Sequence, residues 1–183
     1  MRELETTRLL IRSFGTADLD AYARLLATSF DPPTGPHTLR DRLAYYELGE
    51  RVLAELRQPP YGDRAVVLNE TRQLVGAVGF VPSLAPFGRL PFFGGAAQAK
   101  FTPEVGLFWA LLPEHRRKGF AAEAAGAMVR YAFDELNLRR IVATTEYDNT
   151  ASVAVMRRIG MTIQHNPGPA PHWFQVVGIL EAA

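Results

Sequence analysis

The feature that most constrains the fold is an alternation of strand and helix patterns in the second half of the chain. The four segments are 104–112 (strand), 120–136 (helix), 140–147 (strand) and 149–159 (helix). Hairpin and strand patterns lie on both sides of this block, so the order of elements indicates a mixed α/β sheet. A length of 183 residues with no visible domain boundary predicts a single domain, 1–183.

The first half of the chain carries strand and helix patterns that would extend this sheet. They are a strand at 8–14, a helix that Thr16 can cap, a helix opened by Thr38-x-x-Asp41, and a hairpin of 64–69 and 74–81. Side chains at helical spacing, cap residues and β-branched runs support these assignments.

A loop at 82–102 is rich in Gly, Pro and Phe. Loops of this length without structure of their own are usually functional or disordered. The aromatic content leaves two alternatives open, a binding surface or a loop that only covers the core. The strand patterns at 161–165 and 173–180 then complete the chain.

The segment from Pro113 to Ala122 joins the strand pattern at 104–112 to the helix pattern at 120–136. Three consecutive cations in it precede Gly119. The first turn of a helix has free N–H groups and a partial positive charge, which together favour an anion. Gly119 can adopt a positive φ and let the backbone approach a ligand. The loop alone allows two interpretations, a phosphate or diphosphate site or a basic, solvated helix start.

Spacing and composition exclude several classes of partner. The loop matches neither the P-loop nor the dinucleotide glycine pattern, which disfavours both nucleotide classes. Lys plus Arg (20) nearly balance Asp plus Glu (19), which argues against a nucleic-acid or polybasic membrane surface. The absence of cysteine excludes disulfide scaffolds, thiolate metal sites and a cysteine nucleophile, and fits a cytoplasmic protein. We predict no metal site, signal peptide or membrane span.

The loop block then resembles a known motif. Arg116-x-x-Gly119-x-Ala121, placed after a strand and opening a helix, looks like the acetyl-CoA motif Arg/Gln-x-x-Gly-x-Gly/Ala of the GNAT N-acetyltransferase superfamily. Residues 119–124 are similar to the helix start of its ribosomal-protein N-terminal acetyltransferase-like branch.

Two further blocks resemble the same branch. Residues 4–12 are similar to its first strand, and Asn149-x-x-Ser152 followed by 157–161 resembles its next motif. Four blocks in the right order over about 160 residues are far more specific than any one of them. The chain is therefore identified as resembling this family.

The resemblance implies a twisted, mixed, mostly antiparallel sheet in which two adjacent parallel strands, 104–112 and 140–147, splay apart. It implies acetyl-CoA as co-substrate, with the pantetheine arm between those strands and the diphosphate on the loop amides. The implied binding residues are Ala110, Leu111, Leu112, Arg116, Arg117, Lys118, Gly119, Phe120, Ala121, Ala122, Asn149 and Ser152.

Acetyl transfer from a thioester to an amine needs a neutral amine, a proton acceptor and a hydrogen-bond donor to the carbonyl oxyanion. It needs no covalent nucleophile, which agrees with the absence of cysteine. Glu104 is the first candidate base because it lies on the strand that would carry the thioester. The alternative for Glu104 is a strand-entry carboxylate in solvent or in a salt bridge. Weaker candidates are Glu146, Tyr147, His115, His165 and His172.

The leaving thiolate needs a proton or a hydrogen bond. Many members of the superfamily use a tyrosine in the helix after the second splayed strand, and here the corresponding position is Met156, which cannot donate a proton. The resemblance places Ser152 near the sulfur, where its hydroxyl could bind the thiolate. The local alternative is a helix cap in which Asn149 and Ser152 satisfy first-turn amides.

The resemblance implies that the acceptor is a primary amine of a small molecule or a peptide N-terminus. Acceptor groups in the family usually come from the regions that correspond to 17–57 and 82–102, which carry no readable motif here. Four apolar residues suggest either a wall of the substrate site or a dimer contact: Phe87, Leu90, Phe92 and Phe93. The sequence is therefore compatible with a homodimer. The alternative function is a non-catalytic acyl-CoA-binding or sensing module.

Overall fold

The computed structural model describes residues 1–29 and 38–182. The chain divides into two compact units, one of Met1–Phe80 with Phe108–Met128, the other of Val81–Leu107 with Val129–Ala183. The single domain expected for the whole chain stays a prediction. Among the described residues, no helix has both the length and the apolar character that a membrane crossing requires.

Antiparallel strands form the sheet of the first unit in the order β1-β2-β3-β4. The strands are β1 (Leu4–Glu5), β2 (Leu9–Arg12), β3 (Gly62–Leu68) and β4 (Leu74–Ala85), of which the residues beyond Phe80 belong to the second unit. The β3–β4 pairing confirms the predicted hairpin. After strand β5 (Thr102–Leu111), the Leu112 amide donates to the Val75 carbonyl at 3.0 Å.

Two helices, α1 (Leu19–Ser29) and α2 (Leu39–Glu55), lie between β2 and β3 in the chain. The start of α2 confirms the predicted capping signal. The Asp41 amide donates to the Thr38 hydroxyl at 3.2 Å, and the Thr38 amide donates to the Asp41 carboxylate at 2.7 Å.

The start of α1 differs from the prediction that Thr16 caps it. A short 3₁₀ turn, Thr16–Asp18, precedes the helix. The Asp18 carboxylate accepts from the Gly15 amide at 2.7 Å and from the Arg12 guanidinium at 2.7 Å. An ion-paired aspartate therefore satisfies the backbone at this point.

The core of the first unit lies between these helices and the sheet. Its buried members are Tyr22, Leu25, Ala65, Val67, Leu74, Ala77, Ala110 and Leu112. Tyr46 of α2 and Phe108 of β5 pack against this cluster. Because side chains alternate between the faces of a strand, Asp63 shares the helix-facing side of β3 with Ala65.

Helix α3 (Phe120–Arg130) follows β5 and has an alanine-rich buried face. The sequence predicts one helix over 120–136. The structure instead ends the α-helix at Arg130 and continues as a wider π turn over Tyr131–Glu135.

The second unit contains the parallel strand pair. Its strands, in the order β5-β6-β8-β7, are the first part of β5 with β6 (Arg140–Thr145), β7 (Thr162–His165) and β8 (Val176–Glu181), and its helix is α4 (Thr150–Arg158). β5 and β6 are parallel with Gly106 opposite Val142, whereas β6–β8 and β7–β8 are antiparallel. The predicted α/β class, a mostly antiparallel mixed sheet with one parallel pair, is confirmed.

The structure corrects the prediction of an irregular loop at 82–102. β4 continues through Pro82 to Ala85, where a proline is tolerated because not every strand amide is needed for pairing. The next residues form two 3₁₀ turns that bury Phe87 and Leu90 completely beside Phe174. This part of the segment therefore covers the core of the second unit, which was one of the two alternatives.

Candidate active site

The loop before α3 is folded so that backbone amides are left exposed at the helix start. Arg117 and Gly119 have positive φ values of 62° and 83°, on either side of Lys118. Backbones of this shape make a concave surface of N–H groups. The Glu123 amide donates to the Gly119 carbonyl at 3.1 Å, so the amides of 120–122 precede the first intrahelical bond. These are the groups that a bound anion would satisfy.

The three cations of this loop have different roles. Arg116 is exposed but held in place by backbone carbonyls, with its Nε donating to the Leu111 carbonyl at 2.9 Å and its Nη2 to the Thr28 carbonyl at 3.1 Å. Arg117 and Lys118 are exposed and, within the described parts of the chain, make no ion pair. Arg116 thus fixes the loop against the end of α1, and the two following cations remain available to solvent or a ligand.

An ion pair outside the predicted motif fixes the other side of the loop. Arg8 Nε donates to the Glu123 carboxylate at 2.7 Å, and Arg8 Nη1 donates to the Lys118 carbonyl at 3.0 Å. The Arg8 guanidinium also lies 4.6 Å from the centre of the Phe120 ring. Burial disfavours the charged form of Glu123, but hydrogen bonds from Thr6 and Arg8 outweigh it and lower its pKa. Glu123 is therefore a charged anchor of the loop.

The β5 residues expected to bind pantetheine present their backbone groups to different sides. A Cβ added to Gly76 would collide with the Ala110 carbonyl, and the Leu112 amide binds the Val75 carbonyl, so both face β4. Groups of alternate strand residues point to opposite edges. The Leu111 amide is thus directed away from β4, while its carbonyl accepts from Arg116.

The predicted base Glu104 forms an ion pair in the second unit. Its carboxylate accepts from Arg140 Nε at 3.1 Å and from Nη2 at 2.5 Å, with both side chains largely buried. Arg140 also binds Glu181 at 3.2 Å and lies 4.6 Å from the Phe93 ring centre. The hydrogen bonds that Arg140 donates to Glu104 are the main reason that the pKa of Arg140 is raised. This geometry favours the salt-bridge alternative over a free general base.

Asn149 and Ser152 form a helix cap, which was the local alternative in the sequence analysis. The Ser152 amide donates to Asn149 Oδ1 at 3.0 Å, at the start of α4. Ser152 is half-buried, and its hydroxyl has no hydrogen-bond partner within the described residues. The cap leaves the hydroxyl free, so its proposed contact with the thiolate is compatible with this local role.

Met156 is a core residue. It is 1% exposed and, with Met161, packs over Gly178, where an added Cβ would lie 2.7 Å from the Met161 sulfur and 3.1 Å from Met156 Cγ. The Met156 side chain therefore fills the space that is left because Gly178 of β8 has no side chain.

The weaker base candidates have structural contacts or lie in solvent. The Tyr147 hydroxyl donates to the Asn166 carbonyl at 2.8 Å, and its ring stacks on His165 at 6.1 Å. Glu146 and His172 are exposed, whereas His115 is buried. The contacts of these candidate bases give no reason to assign proton transfer to any of them.

Sequence reasoning missed Arg8 as a support of the loop. Arg8 lies 115 residues from Glu123 in the chain. The pair belongs to two of the blocks that carried the resemblance, but nothing in either block alone indicates the contact.

Comparison with known proteins identifies similar chains. A family model described as an acetyltransferase (GNAT) domain matches residues 8–162. The uncharacterized N-acetyltransferase YnaD of Bacillus subtilis (strain 168) is 32% identical over 165 residues, which cover 86% of this chain and 81% of the relative. YoaA of the same organism, also an uncharacterized N-acetyltransferase, is 31% identical with the same coverage of both chains.

Solved structures show the same fold. The acetyltransferase from Agrobacterium tumefaciens str. C58 is 27% identical and superposes with a TM-score of 0.67, covering 100% of this chain and 95% of that one. The ribosomal L7/L12 α-N-protein acetyltransferase RimL, solved with coenzyme A, is 17% identical with a TM-score of 0.61, covering 97% and 96%.

Proposed function

The chain belongs to the GNAT acetyltransferase family, and from this premise we propose that residues 117–122 bind the diphosphate of acetyl-CoA. The enzyme is an acyltransferase that moves an acetyl group from acetyl-CoA to an amine. The observation that supports the binding site is the positive φ of Arg117 and Gly119 immediately before the free first-turn amides of α3.

The residues of the loop fit a diphosphate in both shape and charge. Exposed Arg117 and Lys118 supply positive charge, while Arg116 and the Arg8–Glu123 pair keep the backbone in place. Fixed donors bind an anion without first having to be ordered. On the same proposal, the outward Leu111 amide of β5 binds the pantetheine amide groups.

Acetyl-CoA supplies an activated acyl group that a neutral amine can attack directly. The residues of this chain then have to hold the amine, receive its proton and stabilise the thiolate that leaves. We assign the last task to Ser152, whose hydroxyl is free. We do not assign proton transfer to Glu104, because its carboxylate accepts two hydrogen bonds from Arg140.

The acceptor class is a primary amine of a small molecule or a peptide N-terminus. RimL and the ribosomal-protein-S5-alanine acetyltransferase from Vibrio fischeri, similar structures, carry names that state protein substrates. Their names support including peptide N-termini among the acceptors to be tested. Part of the expected acceptor region, residues 30–37, lies outside the described residues.

We also propose a cytoplasmic location and self-association as a homodimer. Tyr45, Leu48, Val52 and Leu56 are exposed at helical spacing along the α2 segment, and burying them would favour association. Sedimentation of the purified protein measures this directly, and a monomer at all concentrations would contradict it.

Two measurements test the proposed function. Calorimetry with acetyl-CoA, CoA and ATP should show binding of the first two only, and failure to bind acetyl-CoA would contradict the site. Release of free thiol should then be followed with a panel of small amines and peptides with free N-termini. Binding of acetyl-CoA without turnover of any acceptor would support the alternative function, a non-catalytic module. No contact among the described residues favours that alternative.

A further inference from the structure

A carboxylate lies in the first unit between the two helices and the sheet, and the acetyl-transfer site described above does not use it. Asp63, near the start of β3, accepts a short hydrogen bond from the hydroxyl of Tyr22 in α1. Tyr22 is completely buried. Tyr46 of α2 is a second hydroxyl neighbour of the same carboxylate. Three separate elements thus converge on one acidic side chain.

A cleft opens beside Asp63, which is one of its lining residues and is partly exposed. Its walls include the rings of Phe14, Tyr46 and Tyr61. Gly62 lies on the wall with φ 130°, and a Cβ there would be 2.9 Å from Tyr46 Cδ1. The missing side chain lets the Tyr46 ring pack directly on the strand next to Asp63.

The cleft beside Asp63 is acidic, because its lining residues include more carboxylates than basic side chains. The other carboxylate near its floor, Glu50, is paired with Arg64 at 2.9 Å and with the amino group of Met1 at 2.6 Å. In the described residues, no basic side chain forms an ion pair with Asp63. Arg42 of α2 interacts electrostatically with Asp63 and hydrogen-bonds with Tyr22, so it is the cation that acts on this carboxylate.

A largely buried carboxylate whose direct hydrogen-bond donors are neutral hydroxyl groups is expensive to keep charged. In agreement, burial raises the pKa of Asp63 although Tyr22, Tyr46 and Arg42 all oppose that rise. Burial and the charge of Asp63 together raise the pKa of Tyr46 to about 12, so both hydroxyls stay protonated donors. Because Arg42 offsets the cost of burying this charge only in part, a cationic ligand would add the counter-charge that is still lacking.

We propose that this cleft binds the primary ammonium group of the acceptor, with Asp63 as its counter-ion and the rings of Phe14, Tyr46 and Tyr61 around the adjoining carbon atoms. The hydroxyl of Tyr22 fixes the carboxylate, and the aromatic walls favour an amine attached to an apolar group. This inference rests on the proposed function, since it assigns the acceptor site of the same enzyme. A Cβ added to Gly79 of β4 would collide with the Gly62 carbonyl and lie 2.8 Å from the Phe108 ring, so the Gly62 side of the cleft lies close to β5, the strand proposed to bind pantetheine.

The test measures binding of phenethylamine and of its uncharged analogue phenethyl alcohol by protein-observed NMR. Wild type should bind the amine in preference to the alcohol, with shifts at the Gly62 and Asp63 amides. In Asp63→Asn the amine should bind at least about tenfold more weakly, and the weak binding of the alcohol should not change. Glu47→Gln is the matched control, because Glu47 is an exposed carboxylate at the rim of the cleft. It should change amine binding by less than about twofold.

Equal binding of amine and alcohol to wild type would overturn the proposal, as would unchanged amine binding by a folded Asp63→Asn variant. The wild-type comparison still decides the matter if that variant does not fold. Acetyl-CoA affinity, measured in parallel, should be the same in all three proteins. Selective binding of the amine, with no thiol release from any acceptor of the panel, would refute acetyl transfer but leave the cleft assignment. Turnover with an unchanged KM in Asp63→Asn would refute the cleft alone.

Discussion

Two glycines with positive φ, Gly119 and Gly62, lie in two regions that are built in different ways. Gly119 belongs to a loop whose binding groups are consecutive backbone amides. Gly62 borders a cleft assembled from α1, α2 and β3, where the important groups are side chains far apart in sequence. A site made of consecutive residues leaves a motif in the sequence, and a site made of distant side chains does not. The first was therefore predictable, whereas the second became visible only in the folded chain.

The largest effect is expected from a substitution that disrupts acetyl-CoA binding at the loop and leaves the cleft unchanged. Gly119→Asp places a carboxylate at the anion site in a backbone conformation that L side chains rarely adopt, with the new Cβ 3.3 Å from Arg8 Nη2. We expect acetyl-CoA affinity to fall by about 100-fold because of charge repulsion and strain. Calorimetry measures it.

Gly94→Asp is the matched control for this change. Gly94 also has a positive φ, 109°, but an added Cβ meets nothing within 4 Å. Its acetyl-CoA affinity should match that of wild type. Unchanged affinity in a folded Gly119→Asp variant would remove the loop from the cofactor site.

The corresponding change in the cleft is Gly62→Ala. Its Cβ would be 2.9 Å from the Tyr46 ring, so the ring must move away from Asp63. We expect the KM for the acceptor amine to rise about tenfold and the free energy of unfolding to fall by about 1–3 kcal/mol. Steady-state kinetics and urea unfolding provide these values. An equal loss of acetyl-CoA affinity would show that the two regions are not independent.

Glu104→Gln tests whether a third region supplies the base. If the Arg140 ion pair is the role of Glu104, unfolding free energy should fall by about 1–2 kcal/mol with kcat unchanged. Glu181→Gln removes the more exposed partner of Arg140 and should cost less stability. A large loss of kcat in Glu104→Gln, together with disappearance of the acidic limb of the pH–rate profile, would restore the catalytic assignment.

Ser152→Ala separates chemistry from both binding regions. Loss of the free hydroxyl should lower kcat about threefold to fivefold without changing acetyl-CoA affinity or the KM for the amine. The helix cap survives because it uses the Ser152 backbone amide. Full turnover in this variant would exclude the hydroxyl from the departure of the thiolate.

The smallest expected effect is a pH dependence of the loop anchor. The pKa of Glu123 is lowered from its ordinary 4.5 in the folded state, so its contribution to stability is complete above about pH 4.5 and is lost as the pH falls through the folded-state pKa. The difference in unfolding free energy between wild type and Glu123→Gln should therefore shrink between about pH 6 and about pH 3. A difference that is constant over this range would mean that the Glu123 charge does not stabilise the fold.

The sequence predicted the elements whose patterns are local. The Thr38–Asp41 capping box, the β3–β4 hairpin and the strand, loop and helix around Gly119 are each determined within a few residues. It did not predict the burial of Phe87 and Leu90, because apolar loop residues look the same whether they line a site or complete a core. Nor did it predict the Arg8–Glu123 or Glu104–Arg140 pairs, since no local pattern records which distant charge a side chain will meet.

Helix α1 touches both regions. Arg116 of the loop holds the carbonyl of Thr28 near its end, and Tyr22, six residues or about 9 Å earlier along the axis, holds Asp63. Any stiffening of this helix by one ligand would alter the affinity for the other, and such coupling is reciprocal by thermodynamic necessity. The two substrates of this enzyme should then bind with measurable cooperativity, of equal size in whichever order they are added.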